Sequence, residues 1–187
     1  MARRTPVRQS GAATRARILD VSLGLFIADS FQGTSVRDIA DHVGVTQPTL
    51  YYHFGSKDGI LAALIEPLVQ GGEKLLDHLA SLDVESGARA DRALEGYYDL
   101  IVEHLDVFLF VETDRSVRSH PVAGHRLAEQ AARFIGLLAG STAHEDRIGA
   151  AAAIGAVRRP LRLPGIDPLQ DRASILRRAR AALTASS

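Results

Sequence analysis

From Thr14 to Asp29 the side chains Ile18, Leu19, Ser22, Leu25 and Phe26 recur every three or four residues and lay one stripe along a helix. Gly33 closes that segment. Ser35 with Asp38 three positions on forms a capping box, which starts a short helix carrying Val36, Ile39 and Ala40 on one face and stopping by Gly44. Thr46 stands at the next N-cap and Pro48 in the first turn, where a missing N–H costs no helical bond. A third helix therefore spans about Gln47 to Phe54, buries Leu50 and Phe54, and ends at Gly55.

Ser56 caps a fourth, longer helix with Ile60, Leu61, Leu64, Ile65 and Leu68 on its apolar side. Pro67 predicts either a kink or an early end, and Gly71 and Gly72 soften the next turn. This helix is the only covalent link between the three N-terminal helices and the rest of the chain, so a pivot there would carry motion between the two. Further helical patterns fill Ala88 to Glu112, Ala123 to Leu138, Glu145 to Val157 and Leu169 to Leu183, separated by Gly, Pro, Ser and Asp clusters. No stretch alternates in the manner of a strand. The pattern predicts an all-α chain of about nine helices. A basic arm (1–13) leads into a three-helix N-terminal domain (14–56), and a larger helical domain (57–187) completes the chain.

Charge changes this picture more than composition does. The 187 residues have a formal net charge of zero, but the charge is not evenly spread. Residues 1–60 hold 7 basic and 5 acidic side chains, residues 61–157 hold 8 and 15, and residues 158–187 hold 7 and 2. Arg3, Arg4, Arg8, Arg15 and Arg17 all precede the first acid, and such an arm can follow a phosphate backbone or serve as a solvated terminus. The absence of cysteine excludes disulfides and thiolate sites and fits a reducing cytoplasm, the expected location. The first ten residues lack the apolar stretch of a signal peptide, and no run is apolar enough to span a membrane.

Two short helices joined by Val43, Gly44 and Val45 make a helix-turn-helix. Gln47, Pro48 and Thr49 open its second helix with short or amide side chains suited to base edges. Tyr51, Tyr52 and His53 come next, with polar tips that can reach phosphates. With Leu50 and Phe54 on the buried face, Tyr51 and His53 are expected to point outward. The runs Thr34-Ser-Val-Arg-Asp-Ile-Ala and Val43-Gly-Val-Thr-Gln-Pro-Thr-Leu-Tyr-Tyr-His-Phe-Gly-Ser-Lys, within residues 14–61, resemble the DNA-binding signature of the TetR family of transcriptional regulators.

The resemblance implies that Gln47, Pro48 and Thr49 face bases, while Tyr51, His53, Lys57 and the Thr34-Ser35 helix start hold phosphates and Arg37 adds a contact. Gly59 departs from the better helix former that the family often carries. The resemblance also implies a homodimer formed by the last two long helices, with the small-residue run Gly149 to Gly155 suited to close packing. A cavity for a small-molecule effector of unknown identity is expected among Tyr97, Ile101, His104, Leu105, Phe108 and Phe134. The expected partners are an operator in double-stranded DNA, a second copy of the chain and that effector, with no membrane, cofactor or metal.

Three rivals share parts of the pattern. A constitutive regulator without an effector keeps every N-terminal feature. A protein-binding module would need a different face in place of Tyr51, His53 and Lys57. An enzyme would need a polar constellation, yet His125 with Glu129 supplies two ligands where a metal site takes at least three, and His144-Glu145 lacks the second histidine of a zincin.

Overall fold

The computed structural model describes residues 11–83 and 85–184. It is built from α1 (Gly11–Gly33), α2 (Val36–Val43), α3 (Gln47–Phe54), α4 (Lys57–Ser81), α5 (Ser86–Glu103), α6 (Leu105–Thr113), α7 (Arg115–Arg118), α8 (Ala123–Ala139), α9 (His144–Arg158) and α10 (Arg172–Thr184). A 3-10 turn, Pro160–Arg162, succeeds α9, and there is no strand among the described residues. Arg3, Arg4 and Arg8 of the basic arm lie outside them.

The pattern of apolar positions places most helices within a few residues, and the departures have local causes. The segment expected as one helix from 88 to 112 breaks at His104, whose backbone leaves helical geometry (φ −121, ψ 38), so α5 and α6 are separate helices. Asp114 then caps α7, a single turn that no apolar periodicity could announce. The last helix starts at 172 and not at 169, because the Asp167 carboxylate accepts from the amides of Leu169 and Gln170 and holds them in a turn.

Pro67 neither ends α4 nor breaks it: the helix is continuous to Ser81. Pro67 is exposed, so its ring sits on the solvent side, while Leu68 and Val69 are buried beside it. Gly71 and Gly72 are contact surfaces. A Cβ at Gly71 would overlap Leu100 and one at Gly72 would overlap the Gln130 amide, so glycine lets α5 and α8 press against α4. Gln130 donates to the Val69 carbonyl at 2.7 Å, and Glu66 pairs with Arg126 at 2.8 Å, fastening α4 to α8 on both sides of the expected pivot.

Two apolar cores result. One fills the space between α5, α8, α9, α10 and the second half of α4, around Leu79, Leu94, Tyr98, Phe134 and Val157. The other joins Ile18, Phe26, Ile39 and Leu50 of α1 to α3 with Ile60, Leu61 and Ile65 of α4 and with Phe110, Val111 and Val117 of α6 and α7. A boundary at residue 56 thus separates helices but cuts through a shared core. Phe26 stacks on Phe110 at 5.7 Å between centroids, so a second, non-covalent connection runs beside α4. At the end of α1, Ser30 adopts φ 68 and ψ 161, a region that favours glycine and costs about 1–3 kcal/mol. Its hydroxyl accepts from the Gly33 amide and its carbonyl accepts from the Thr34 hydroxyl, bonds that hold the strained corner. Among the described residues no helix is long and apolar enough to cross a membrane.

Candidate nucleic-acid interface

The geometry of the helix-turn-helix comes from four local devices. Ser35 and Asp38 form the reciprocal capping box, with the Asp38 amide 3.1 Å from Ser35 Oγ and the Ser35 amide 2.8 Å from the Asp38 carboxylate. The hydrogen bonds from Ser35 hold the Asp38 carboxyl below its ordinary value. Gly44 turns the chain in the left-handed region (φ 74, ψ 38), and its amide and that of Val45 both donate to the Ala40 carbonyl. Leu50, 2 % exposed, pins α3 to the core. Gly55, at φ 72, ends α3 with its amide on the Tyr51 carbonyl.

Thr46 occupies the N-cap position of α3, but its hydroxyl lies 2.9 Å from that of Thr49 and makes no capping bond to the backbone. Gln47, Pro48, Tyr51 and Tyr52 share the outward face, at positions i, i+1, i+4 and i+5. Tyr51 is 49 % exposed and Tyr52 is 85 % exposed. Apart from an edge contact with His53, the Tyr52 ring stands in solvent on a helix anchored by Leu50. Thr49 is half-buried. So is His53, in contrast to the outward position expected of it: its ring stands beside Tyr52 and Phe54, and the first residue of α1, Gly11, lies against it.

Two expected phosphate ligands face inward. Thr34 is buried, its hydroxyl bonded to the Ser30 carbonyl at 2.9 Å. Lys57 is not a free cation, because its ammonium donates to the carbonyls of Phe31 at 2.7 Å and Thr34 at 2.9 Å and lies over the Phe31 ring. It clamps the start of α4 to the corner between α1 and α2, satisfying carbonyls that the end of α1 leaves open. Ser35 and Arg37 remain exposed at the start of α2, where Arg37 makes only a solvent-exposed pair with Asp41 at 3.7 Å.

Gly59, which departs from the family pattern, has a steric role. A Cβ there would overlap the Phe54 carbonyl, so glycine lets the end of α3 seat against the first turn of α4. From the sequence, Arg15 is only one member of a charged arm. The structure stacks its guanidinium over the Phe54 ring at 4.9 Å, which puts the start of α1 beside the end of α3.

Of the expected effector contacts, Tyr97, Ile101, Phe108 and Phe134 line one cavity, together with Leu68, Gln130, Glu112 and Arg158. His104 and Leu105 are not among its walls, because the break at His104 turns them aside. The cavity measures about 60 Å³, room for no more than a few water molecules. Tyr97 and Phe134 line it with their ring centroids 5.0 Å apart. Burial pushes the Tyr97 phenol above its ordinary value, so it stays neutral. His125 and Glu129 form an exposed pair at 3.1 Å, and no group of three or more metal-ligating side chains converges among the described residues.

The family described as bacterial regulatory proteins, tetR family, matches residues 18–64. The chain is 29 % identical over 102 residues to the HTH-type transcriptional regulator EthR of Mycolicibacterium smegmatis, a match covering 54 % of this chain and 47 % of that protein. It thus spans about half the length of that relative. In fold it is similar to a TetR-like transcriptional regulator from Rhodococcus sp. RHA1, with a TM-score of 0.70 and 23 % identity over 97 % of this chain and 99 % of that one. It is similar also to NalD, the secondary repressor of the MexAB-OprM multidrug efflux pump in Pseudomonas aeruginosa, with a TM-score of 0.71 and 21 % identity over 92 % and 98 %.

Proposed function

Because the chain belongs to the TetR family of bacterial regulatory proteins, we propose that it is a transcriptional repressor that binds a near-palindromic operator as a homodimer and releases it on binding a small effector. The observation that carries this is the outward face of α3, where Gln47, Pro48, Tyr51 and Tyr52 stand exposed on a helix fixed by Leu50 and two glycine turns. A helix so presented enters a major groove, and a twofold axis sets a second copy about 34 Å away. Gln47 and Pro48 then meet base edges, while Tyr51, Tyr52, Arg37 and the Ser35 start of α2 meet phosphates. Arg15, stacked beside the end of α3, then meets the backbone as well. EthR is a transcriptional regulator and NalD a repressor by name, and the chain is read as a regulator, not an enzyme.

The subunit contact in this reading is the outer face of α9, where Ile148, Ala151, Ala152 and Gly155 are exposed in line. Small side chains there admit a partner helix closely. The effector enters the cavity between α5, α6 and α8, and has to part Tyr97 from Phe134 to do so. A constitutive regulator is the second reading, favoured by how little room that cavity holds.

Base and phosphate contacts predict separable phenotypes. Gln47→Ala should change which base is preferred at one operator position, by about 1–3 kcal/mol of discrimination. Tyr51→Phe should weaken every site alike, about fivefold for one lost hydrogen bond of ~1 kcal/mol. Binding titrations on single-base operator variants distinguish the two. Uniform weakening by both substitutions contradicts the assignment of Gln47 to bases.

A further inference from the structure

The effector cavity is not walled off from solvent by apolar side chains alone. At the end of α9 its wall is an ion pair, Arg158 with Glu112 of α6, and the same two residues line a groove of about 490 Å³ on the opposite side. Arg118 of α7, Arg159 and Arg162 complete the charged lining of that groove, with Glu112 its only acid, and Ala151 and Gly155 of the proposed subunit contact form its rim towards the partner. None of those three arginines forms an ion pair among the described residues. A helix C-terminus favours cations, which accounts for Arg159. It does not account for Arg118, which arrives from another element and meets them in one groove. Arg158 stands at the border: its guanidinium lies 5.8 Å from the Phe108 ring in the cavity wall, and its buried Nε has no hydrogen-bond partner.

Resting on the effector-responsive reading, we infer that the effector is an amphipathic anion that occupies both spaces. Its apolar part enters between Tyr97, Phe108 and Phe134. Its phosphate-like head sits among Arg118, Arg159 and Arg162, with Arg158 and Glu112 as the gate between the two. A net charge of three in a groove beside the subunit contact suits a multiply charged head better than a single carboxylate, and the lone acid, already committed to Arg158, leaves the other arginines to the ligand. The unpartnered Nε of Arg158 finds its acceptor when the head or its ester oxygen passes the gate. The small resting volume is then expected, since the aromatic side chains close on each other when no apolar chain separates them.

Calorimetric titration of the full chain with octyl phosphate, octanoate, octanol and inorganic phosphate tests this. Octyl phosphate should bind at least about tenfold more tightly than octanol and than inorganic phosphate, because both parts contribute, and added salt should shrink its lead over octanol. The Arg159→Ala/Arg162→Ala variant should lose that lead, keep the octanol affinity and remain dimeric by light scattering. Octanol binding as tightly as octyl phosphate and releasing operator overturns the charged head site but leaves the effector-responsive reading standing. Inorganic phosphate binding as tightly as octyl phosphate overturns the apolar half. If none of the four binds at about millimolar concentration, the amphipathic anion is overturned, and operator release by other compounds then decides the effector-responsive reading separately. A variant that turns monomeric assigns these arginines to the subunit contact and also overturns the proposal.

Discussion

Replacing Asp114 with alanine should destabilise the protein by about 3 kcal/mol, the largest loss expected from one polar side chain here. Asp114 is 8 % exposed and sits between α6 and α7. One oxygen accepts from the Phe31 amide at 2.7 Å, across 83 residues of sequence, and the other accepts from the Ser116 amide and hydroxyl at 2.8 and 2.6 Å. Alanine strands these donors, and the Val117 amide with them, and uncaps α7. Burial alone would raise the Asp114 carboxyl, but its hydrogen bonds from Phe31, Ser116 and Val117 outweigh that and hold it below its ordinary value. A carboxyl lowered on folding contributes fully above the unfolded value, about pH 4, and loses its contribution as pH falls through the folded one. Urea unfolding of wild type and variant should therefore differ most near neutrality and converge in acid. A difference below about 1 kcal/mol at neutral pH contradicts the role given to this residue.

If the proposed homodimer forms through α9, Ala152→Arg should convert it to monomers and lower operator affinity by about a hundredfold or more, since each half-site then binds without its tethered neighbour. Ala152 is exposed on α9 between Ile148 and Gly155, so the arginine enters no core of its own subunit, and helicity should be unchanged. Against a partner helix in close approach, the same side chain has no room and would bury an unpaired charge. Light scattering and a binding titration on one duplex measure both effects. A variant that stays dimeric and binds as wild type moves the contact off this face.

The Asp114 contact shows what was legible in the sequence and what was not. Helix ends set by local chemistry were readable: the Ser35–Asp38 box, the turns at Gly44 and Gly55, and the outward Gln47, Pro48 and Tyr51 all come from spacing within a few residues. Where two distant segments meet, spacing is silent. Lys57 reads as a cation for phosphate and proves to hold the carbonyls of Phe31 and Thr34, a contact across 26 and 23 residues. Gly71 and Gly72 read as softness in α4, while their lack of a Cβ serves Leu100 and Gln130 on other helices. The break at His104 removes two residues from the expected cavity for a similar reason, because the apolar period continues through the break although the backbone does not. Glu112 and Arg158, 46 residues apart and joined only by the fold, could not be paired from the sequence.

In the proposed reading, the exposed face of α3 reads a DNA sequence in two symmetric copies. Selection of bound fragments from a randomised duplex library, with the purified chain at moderate salt, tests it most directly. One near-palindromic site, with half-sites about one helical turn apart, should be enriched, and binding should be lost as salt rises. Recovery of fragments no different from the starting library would contradict it.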